Sequence, residues 1–466
     1  MGITRQAFVI SDLHLGGLYG AANDRGSRIC SQVTTLTKFV EALATRPAAP
    51  RTELVVNGDF VDFLAEGDGS PPQWTPFVAN GDDAASKLRA IIARDRLFFD
   101  ALRRFLDGGH RLVLLPGNHD IELALPAVRT ALNDALGVTG NHDFHFLYDG
   151  EAYVVGDAII EHGDQYDPWN RVDHESLRKL RAQQSRRHAE RDAHRFLPPP
   201  GSRLVSEVIN PIKADYPFVD LLKPENEAVI PLLLALEPGS RRLLGRIASL
   251  CVRAAASAAR SYSGDIAATG AVDPLRTVVE NVMPGRSAEF LAALGEDQLG
   301  EFAGDISSTG DAIDRGRGLA RLLTARTGEP LDTRLPALRL AMRALENHRT
   351  FDRHIEPLPR YLDAAAALSR NSFRFVVFGH THLARDIIID SHARYLNSGT
   401  WADVIEFPAH VLSDDQLEAF RRFVVAMGTR DLADWTKCIP TYVRLDLEDD
   451  RVAGAELVEY QGETNI

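Results

Sequence analysis

Five short apolar runs in this sequence each end in a polar motif, and this arrangement constrains the fold more than any other feature. The runs lie at 7–12, 53–59, 111–117, 158–161 and 373–380. Segments with helical spacing separate the first three of them, and such alternation is typical of an α/β layer fold. Ligands of open α/β sheets bind outside the carboxyl ends of the strands. We therefore predict an α/β core whose functional groups stand directly behind these runs.

The polar residues behind the runs are nitrogen and oxygen ligands, with no thiolate among them. They are Asp12 and His14 in ISDLHLGG, Asp59 and Asp62 in NGDFVDF, Asn118 and His119 in PGNHD, His162 in IEHGD, and His380 and His382 in FGHTH. Such ligands suit Mn²⁺, Fe, Zn²⁺ or Mg²⁺. A pair of cations about 3.5–4 Å apart also needs a carboxylate to bridge it. In an extended segment residues i and i+2 point the same way, so Asp12 and His14 are expected to share one metal.

The motif series DxH, GDxxD, GNHD, a lone His and GHTH resembles the calcineurin-like metallophosphoesterase superfamily. The resemblance covers about 1–165 and 372–405 and implies a four-layer α/β/β/α sandwich with a dinuclear metal centre. It implies that one metal takes Asp12, His14, Asp59 and His382, and that the other takes Asp59, Asn118, His162 and His380.

The same resemblance implies a hydrolase of phosphoester bonds. A water between the two metals, its pKa lowered towards neutrality, would attack phosphorus as hydroxide. His119 would face the leaving group as general acid or as a stabiliser of transition-state charge, and Asp62 would orient it. Mn²⁺ is the favoured metal, and no organic cofactor is expected.

The tetrapeptide GNHD occurs twice, at 117–120 and at 140–143. The first copy follows a buried strand and a Pro-Gly turn, which places Asn118 and His119 at the sheet edge. The second copy follows the end of a helix and precedes a strand, so we interpret it as a turn. Asp120 either supports the metal ligands or caps the following helix.

The distribution of apolar runs and of helical spacing along the sequence indicates one α/β domain interrupted by a helical one. We assign 1–165 to the first part of the core, 166–371 to a helical insertion or lid, and 372–466 to the second part of the core. Within these parts we predict one helix over 84–107, another over 121–136, and a strand pair meeting near Asp149-Gly150. A helix at 413–427 would begin with a capping box of Ser413 and Gln416, and 441–460 would close the chain as a hairpin.

The composition limits the possible cellular locations and binding partners of the protein. The formal net charge of −13 and pI near 5.6 argue against bulk electrostatic binding of nucleic acid, so a small phosphorylated substrate is expected. The three cysteines Cys30, Cys251 and Cys438 show no metal-ligand spacing and are expected to be free thiols of a reducing cytoplasm. No apolar stretch is long enough for a transmembrane helix. The sequence gives no oligomeric state.

The motifs also order the candidate substrates. Phosphoprotein phosphatases of the superfamily carry Arg-Gly after GDxxD, whereas Phe63-Leu64 follow Asp62 here. SDLHLGG, GDFVDF, HGD and GHTH together resemble the UDP-2,3-diacylglucosamine pyrophosphatase branch, although those enzymes are shorter and carry Arg at the position of His119. A small phosphodiester or a nucleotide- or lipid-linked pyrophosphate is therefore favoured. A nuclease, a cyclic-nucleotide phosphodiesterase and a binding module that reuses the fold remain alternatives.

Two stretches outside the motifs leave alternatives open. The basic stretch 171–191 is either a solvated helix face or a rim that directs substrate to the metals. Its cations are Arg171, Arg178, Lys179, Arg181, Arg186, Arg187 and Arg191. The apolar stretch 231–260 is either a lid with a groove, an oligomerisation surface or the packed core of the insertion.

Overall fold

The computed structural model describes residues 2–18, 26–138, 140, 142–186, 196–238, 317–319, 321–347 and 349–462. The described chain packs into two compact units. The first contains 1–206, 350–403 and 437–466, and the second contains 207–349 and 404–436. These limits differ from the sequence-based ones, because 166–206 and 350–371 pack in the first unit and the helix after 413 packs in the second. The domain assignment itself stays a prediction.

The strands of the described chain are short and follow the apolar runs of the sequence. They are β1 (Arg5–Ile10), β2 (Arg51–Asn57), β3 (Arg111–Leu115), β4 (Phe144–Phe146), β5 (Tyr153–Val155), β6 (Ala158–Ile160), β7 (Leu222–Lys223), β8 (Phe375–Phe378), β9 (Arg385–Ile388), β10 (Arg394–Asn397), β11 (Val404–Glu406), β12 (Thr436–Lys437), β13 (Thr441–Glu448) and β14 (Arg451–Glu459).

The helices of the described chain vary from one to nearly four turns. They include α1 (Val33–Ala44), α2 (Gly81–Arg94), α3 (Arg96–Asp107), α4 (Pro126–Leu136), α5 (His174–Ser185), α6 (Pro200–Leu204), α7 (Asn210–Lys213), α8 (Glu225–Leu236), α9 (Leu331–Met342), α10 (Pro359–Ser369) and α11 (Leu417–Thr429).

The first unit is built on two sheets. One has the strand order β14-β13-β1-β2-β3-β4, and the other has the order β5-β6-β8-β10-β9. Strands β1 to β4 are mutually parallel in the first sheet, and β6, β8 and β10 are parallel in the second. The carboxyl ends of five of these strands, β1, β2, β3, β6 and β8, carry the polar motifs.

Alternation along the strands produces four layers, because successive side chains of a strand point to opposite faces of its sheet. In β1, Ala7 and Val9 face a core shared with Ile160 and Val377 of the second sheet. The intervening Phe8 and Ile10 pack instead on a core with helices α1 to α4. The outer face of the second sheet packs on α10 through residues such as Tyr361 and Ala365. The predicted α/β/β/α sandwich is therefore confirmed.

The second unit is described in part. Helix α8 packs against α9, and β7 pairs in parallel with β11. Arg421 of α11 forms an ion pair with Asp332 of α9, with Nε 2.8 Å from Oδ1. Most of the stretch 231–260 lies outside the described residues, and so does Cys251. The alternatives for that stretch therefore stay open.

Three local predictions are wrong. The helix predicted over 84–107 is two helices separated at Asp95. The two strands predicted to meet near Asp149-Gly150 do not pair, because β4 joins β3 in the first sheet whereas β5 pairs with β6 in the second. The capping box at Ser413 is not formed either, since α11 begins at Leu417 and no side chain caps it.

Candidate metal centre

The loops that follow five parallel strands meet at one edge of the first unit. Backbone hydrogen bonds continue past the strands and hold the first two loops together, since the amides of Leu13 and His14 both donate to the carbonyl of Asp59 at 2.9 Å. Between the two sheets, the amide of Gly379 donates to the carbonyl of His162, and that of His380 donates to Asp12 Oδ2 at 2.9 Å. The loops of Asp12, Asp59, His162 and His380 are thereby held together at neighbouring strand ends of the two sheets.

The loop residues have an unusual backbone. Positive φ angles occur at Asp12 (54°), His14 (45°), Asp59 (49°), His380 (69°) and His382 (61°). The extended geometry expected for Asp12 and His14 is therefore wrong, and both residues turn towards the site from left-handed backbone. Such backbone costs on the order of 1–3 kcal/mol per residue and persists where surrounding contacts enforce it. The five residues follow three strands, β1, β2 and β8, and this concentration of left-handed backbone marks their loops as a built site.

Two glycines that precede site residues make room for the side chains of other loops. A Cβ on Gly58 would lie 2.1 Å from His162 Nδ1, and Gly58 also has φ +83°. A Cβ on Gly117 would lie 2.2 Å from Asp59 Oδ1 and 2.7 Å from His162 Nε2. Real Cβ contacts of this length do not occur. Close packing therefore requires glycine immediately before Asp59 and before Asn118.

The first group of potential ligands consists of Asp12, His14, Asp59 and His382, whose ligand atoms all lie within 4.8 Å of one another. His14 Nε2 lies 3.0 Å from His382 Nε2 and 3.6 Å from Asp59 Oδ2. His382 Nε2 lies 3.4 Å from Asp12 Oδ1. This is the set that the motifs predict for one metal.

The second group consists of Asp59, His162 and His380, with the same limit of 4.8 Å between ligand atoms. His162 Nε2 lies 3.4 Å from Asp59 Oδ2, and its Nδ1 lies 2.9 Å from the carbonyl oxygen of Asn57. An imidazole that donates from Nδ1 to a carbonyl carries its lone pair on Nε2. Asp59 is thus common to both groups.

Two buried atoms, one of the second group and one of the neighbouring Asn118, lack hydrogen bonds among the described residues. They are Asn118 Oδ1 and His162 Nε2. Buried polar atoms are normally satisfied, so each exception requires an explanation. A cation would satisfy both, and the all-nitrogen-and-oxygen donor set suits a divalent metal. The residues present therefore fit the metals that the sequence predicts.

The charges of the two groups are strongly interdependent. Burial raises the pKa of Asp12, and the neighbouring Asp59 raises it further. Burial also opposes ionisation of Asp59, but His162, His119 and His14 hold the pKa of Asp59 well below its usual range. Burial disfavours charge on His162, whereas Asp59 and Asp12 raise the pKa of that imidazole well above its ordinary value. Buried carboxylates of this kind are an environment that attracts cations.

Asp62 links His119 to the first group. Its Oδ1 lies 3.3 Å from His119 Nδ1, and its Oδ2 lies 3.3 Å from His14 Nδ1. Burial opposes ionisation of Asp62, but its two histidine partners outweigh this effect and lower its pKa far below the ordinary value. The three side chains form a further Asp/His group with ligand-like spacing, which the sequence interpretation did not include.

Asp120 holds the loop of Asn118 to the loop of Asp59. The amide of Phe60 donates to Asp120 Oδ2 at 2.7 Å, and the amide of Gly117 donates to Oδ1 at 2.6 Å. Its side chain makes no helix cap. Burial and the nearby Asp59 raise the pKa of Asp120 to about 8. Of the two roles left open by the sequence, the structure supports the one next to the ligands.

The second GNHD copy lies apart from these groups. His142 Nε2 is 3.2 Å from Asp107 Oδ1, and Asp143 accepts from Arg111 Nε at 3.1 Å. Asn141 lies outside the described residues. The described members of this copy therefore take part in ion pairs beside β4.

The described cations of the basic stretch have local partners. Arg178 Nη2 lies 2.8 Å from Glu175 Oε1 and Lys179 Nζ lies 3.7 Å from it. Arg181 is buried, donates to the carbonyl of Tyr148 at 3.0 Å and stacks over the Tyr148 ring. Arg187 and Arg191 lie outside the described residues. Arg181 is therefore buried against Tyr148 and fits neither alternative, and the alternatives for the stretch stay open.

Several polar neighbours of the site were missed in the sequence. Asp167 Oδ2 lies 3.2 Å from His380 Nε2, and Asn170 Oδ1 accepts from Asn118 Nδ2 at 3.4 Å. Ser11 Oγ donates to Asp12 Oδ2 at 2.5 Å and lies 2.7 Å from Ser398 Oγ. The stretch HGDQYDPWN gave a weak signal, since its polar residues follow His162, but the predicted core ended at 165.

A protein-family model matches part of the chain. Residues 7–208 match the family described as calcineurin-like phosphoesterase. This part of the chain is therefore similar to the calcineurin-like phosphoesterases. The match contains the site residues from Asp12 to His162, whereas His380 and His382 lie beyond it and join them through the fold. No curated protein matches the chain.

The similarity to this family supports a hydrolase that acts on phosphoester bonds, and the Asp/His groups of the chain could hold metal ions. Within the described residues, no helix is long and apolar enough to cross a membrane. Cys30 and Cys438 are free thiols.

Proposed function

We propose that this phosphoesterase is a dinuclear metal enzyme that hydrolyses a small phosphodiester or a nucleotide- or lipid-linked pyrophosphate. The observation that carries the proposal is the pair of ligand groups that share Asp59. Asp12, His14, Asp59 and His382 would hold the first metal. Asp59, Asn118, His162 and His380 would hold the second, with Asp59 between the two.

Bound divalent ions would supply Lewis acidity and lower the pKa of a water to near neutrality. The chain itself contributes orientation and charge. Asp62 accepts from His14 and His119 and so orients both imidazoles. His119, with 20% of its side chain exposed, would meet the leaving-group oxygen from the solvent side. The carboxylates of Asp12 and Asp59 would offset the charge of the cations.

The preference for a diester or a pyrophosphate rests on the motif combination around Asp12, Asp62, His162 and His380, and on the Phe63-Leu64 pair that replaces Arg-Gly. Mn²⁺ is the proposed metal, since imidazole and carboxylate ligands suit it and the set contains no thiolate. A cytoplasmic location stays a prediction from the free cysteines.

Hydrolysis of bis-p-nitrophenyl phosphate and of p-nitrophenyl phosphate tests this function. Metal-stripped full-length protein is assayed with both substrates, before and after addition of Mn²⁺. We expect Mn²⁺ to restore cleavage of the diester. Turnover of the monoester alone would indicate a phosphatase and contradict the proposed substrate class. Binding of Mn²⁺ with cleavage of neither substrate would favour a binding module.

A further inference from the structure

Asp167 and Asn170 connect two of the proposed ligands of the second metal. Asp167 Oδ2 lies 3.2 Å from His380 Nε2. Asn170 Nδ2 donates to the same carboxylate oxygen at 2.9 Å, and Asn170 Oδ1 accepts from Asn118 Nδ2 at 3.4 Å. A single run of hydrogen bonds thus extends from His380 to Asn118.

Each end of this run leaves a metal-binding atom available. An imidazole that donates from Nε2 carries its lone pair on Nδ1. An amide that donates through Nδ2 presents its oxygen elsewhere, and Asn118 Oδ1 is buried with no hydrogen bond among the described residues. Metal-bound histidines commonly donate their other ring N–H to a carboxylate, which fixes the tautomer and the ring orientation.

The Asp167–Asn170 pair is itself held in place. The amide of Trp169 donates to Asp167 Oδ1 at 3.1 Å, and Arg360 Nη2 lies 3.9 Å from Oδ2. Asp167 is therefore fixed by both its backbone neighbour and a cation. On the other side, a Cβ on Gly201 would lie 2.0 Å from Asn170 Oδ1, so the glycine of α6 permits close packing against the Asn170 amide.

The first metal has a separate orienting contact. Asp62 Oδ2 lies 3.3 Å from His14 Nδ1, which leaves His14 Nε2 for the first group. The Asp167–Asn170 pair instead contacts His380 and Asn118, which are both proposed ligands of the second metal. Loss of the pair should therefore affect one metal and spare the other.

We propose that Asp167 and Asn170 are positioning residues for the second metal. They present His380 Nδ1 and Asn118 Oδ1 as its ligand atoms, and this role rests on the proposed dinuclear function. Neither residue touches the reacting atoms. They affect the reaction only by orienting His380 and Asn118.

Metal binding to the full-length chain tests the proposal. Metal-free protein is dialysed against graded Mn²⁺, bound Mn²⁺ per chain is measured, and the electron paramagnetic resonance spectrum distinguishes a coupled pair from a single ion. The variants are Asp167→Asn and Asn170→Ala. The control is Asp173→Asn, because that carboxylate lies in the same stretch and accepts from the amide of Ser176 at the start of α5.

We expect two Mn²⁺ per chain and a coupled spectrum in the unaltered protein and in Asp173→Asn. In Asp167→Asn and Asn170→Ala, the second ion should bind about 10–100-fold more weakly, with the first ion unchanged. The unfolding midpoint of the metal-free variants should match that of the control.

The remaining outcomes separate the two proposals. Fewer than two sites in the unaltered protein would refute the dinuclear function and the positioning role together. Two sites of unaltered affinity in both variants would refute the positioning role alone. Equal weakening of both sites, or a metal-free midpoint below that of Asp173→Asn, would show that the pair only supports the fold.

Discussion

His119 differs from the other histidines of the site in exposure. Its side chain is 20% exposed, compared with 15% for His382, 8% for His380 and 1–2% for His14 and His162. It also lies beside Asp62 rather than in either of the two groups that share Asp59. A substrate that approaches from solvent can therefore reach His119 before the buried imidazoles. This placement suits a residue that acts on the leaving group.

Replacement of His119 by Ala should lower kcat for the diester while Mn²⁺ binding is retained. General acid catalysis contributes about 10²–10⁴-fold, and the loss should be largest for a leaving group that needs a proton. We therefore expect a greater loss for an alkyl than for a p-nitrophenyl leaving group. An equal loss for both would instead indicate stabilisation of transition-state charge.

His142→Ala is the matched control, because it removes the corresponding histidine of the second GNHD copy, whose imidazole pairs with Asp107. This variant should keep the kcat of the unaltered protein. Unchanged kcat in His119→Ala, measured with both leaving groups, would contradict a catalytic role for His119.

At the residue scale, the sequence predicts site residues that directly follow a strand better than residues that join the site through tertiary contacts. Asp12, Asp59 and His162 follow buried runs, so their position at the sheet edge follows from strand geometry. Asp167 and Asn170 follow no strand and meet His380 and Asn118 only because α/β packing brings the loops together. No local pattern encodes those contacts.

At the scale of elements, each strand-end loop depends on how closely its neighbour approaches. Gly117 illustrates this dependence, since a Cβ there would lie 2.2 Å from Asp59 Oδ1. The loop of Asn118 would have to move away from that of Asp59, although Asp120 holds them together through the amides of Phe60 and Gly117.

The substitution Gly117→Ala should therefore disrupt the second metal group and reduce diester hydrolysis at least 10²-fold, since misplacement by about 1 Å can cost that much. Gly140→Ala is the control in the other GNHD copy, where nothing lies within 4 Å of an added Cβ. It should behave as the unaltered protein does. Comparable Mn²⁺ binding and kcat in both variants would show that the close approach at Gly117 has no functional consequence.

The prediction of secondary structure succeeded where the pattern of alternating residues was long. It failed where a strand pairs with a partner that is distant in the sequence. The alternating residues of β13 and β14 form the expected hairpin. In contrast, β4 and β5 are successive strands in different sheets. Their apolar runs resemble those of a hairpin, and only the packing of the two sheets decides which partner each strand takes. The separation of α2 from α3 also depends on a distant residue. Arg28 donates a hydrogen bond to the carboxylate of Asp95, the residue between the two helices.

At the scale of the whole molecule, the limits of the compact units differ from those of the predicted domains. The α/β layers were expected from the alternation of runs and helices, and they are confirmed by the two stacked cores. The compact units nevertheless place 166–206 with the sheets. That segment has helical spacing, and a helix of the core and a helix of an insertion look alike in sequence.

Metal binding should stabilise the unit that contains the site, because two buried carboxylates, Asp12 and Asp59, lie next to each other there. Five residues of the site, including these two, also have left-handed backbone. A ligand that binds only the folded chain adds about 2.7 kcal/mol at a concentration of 100 times its Kd. We expect Mn²⁺ at that concentration to raise the midpoint of a calorimetric unfolding transition by several degrees and EDTA to reverse the shift. Asp59→Asn removes the carboxylate common to both groups and should abolish the Mn²⁺ response. A shift of equal size in Asp59→Asn would mean that Mn²⁺ binds elsewhere on the chain.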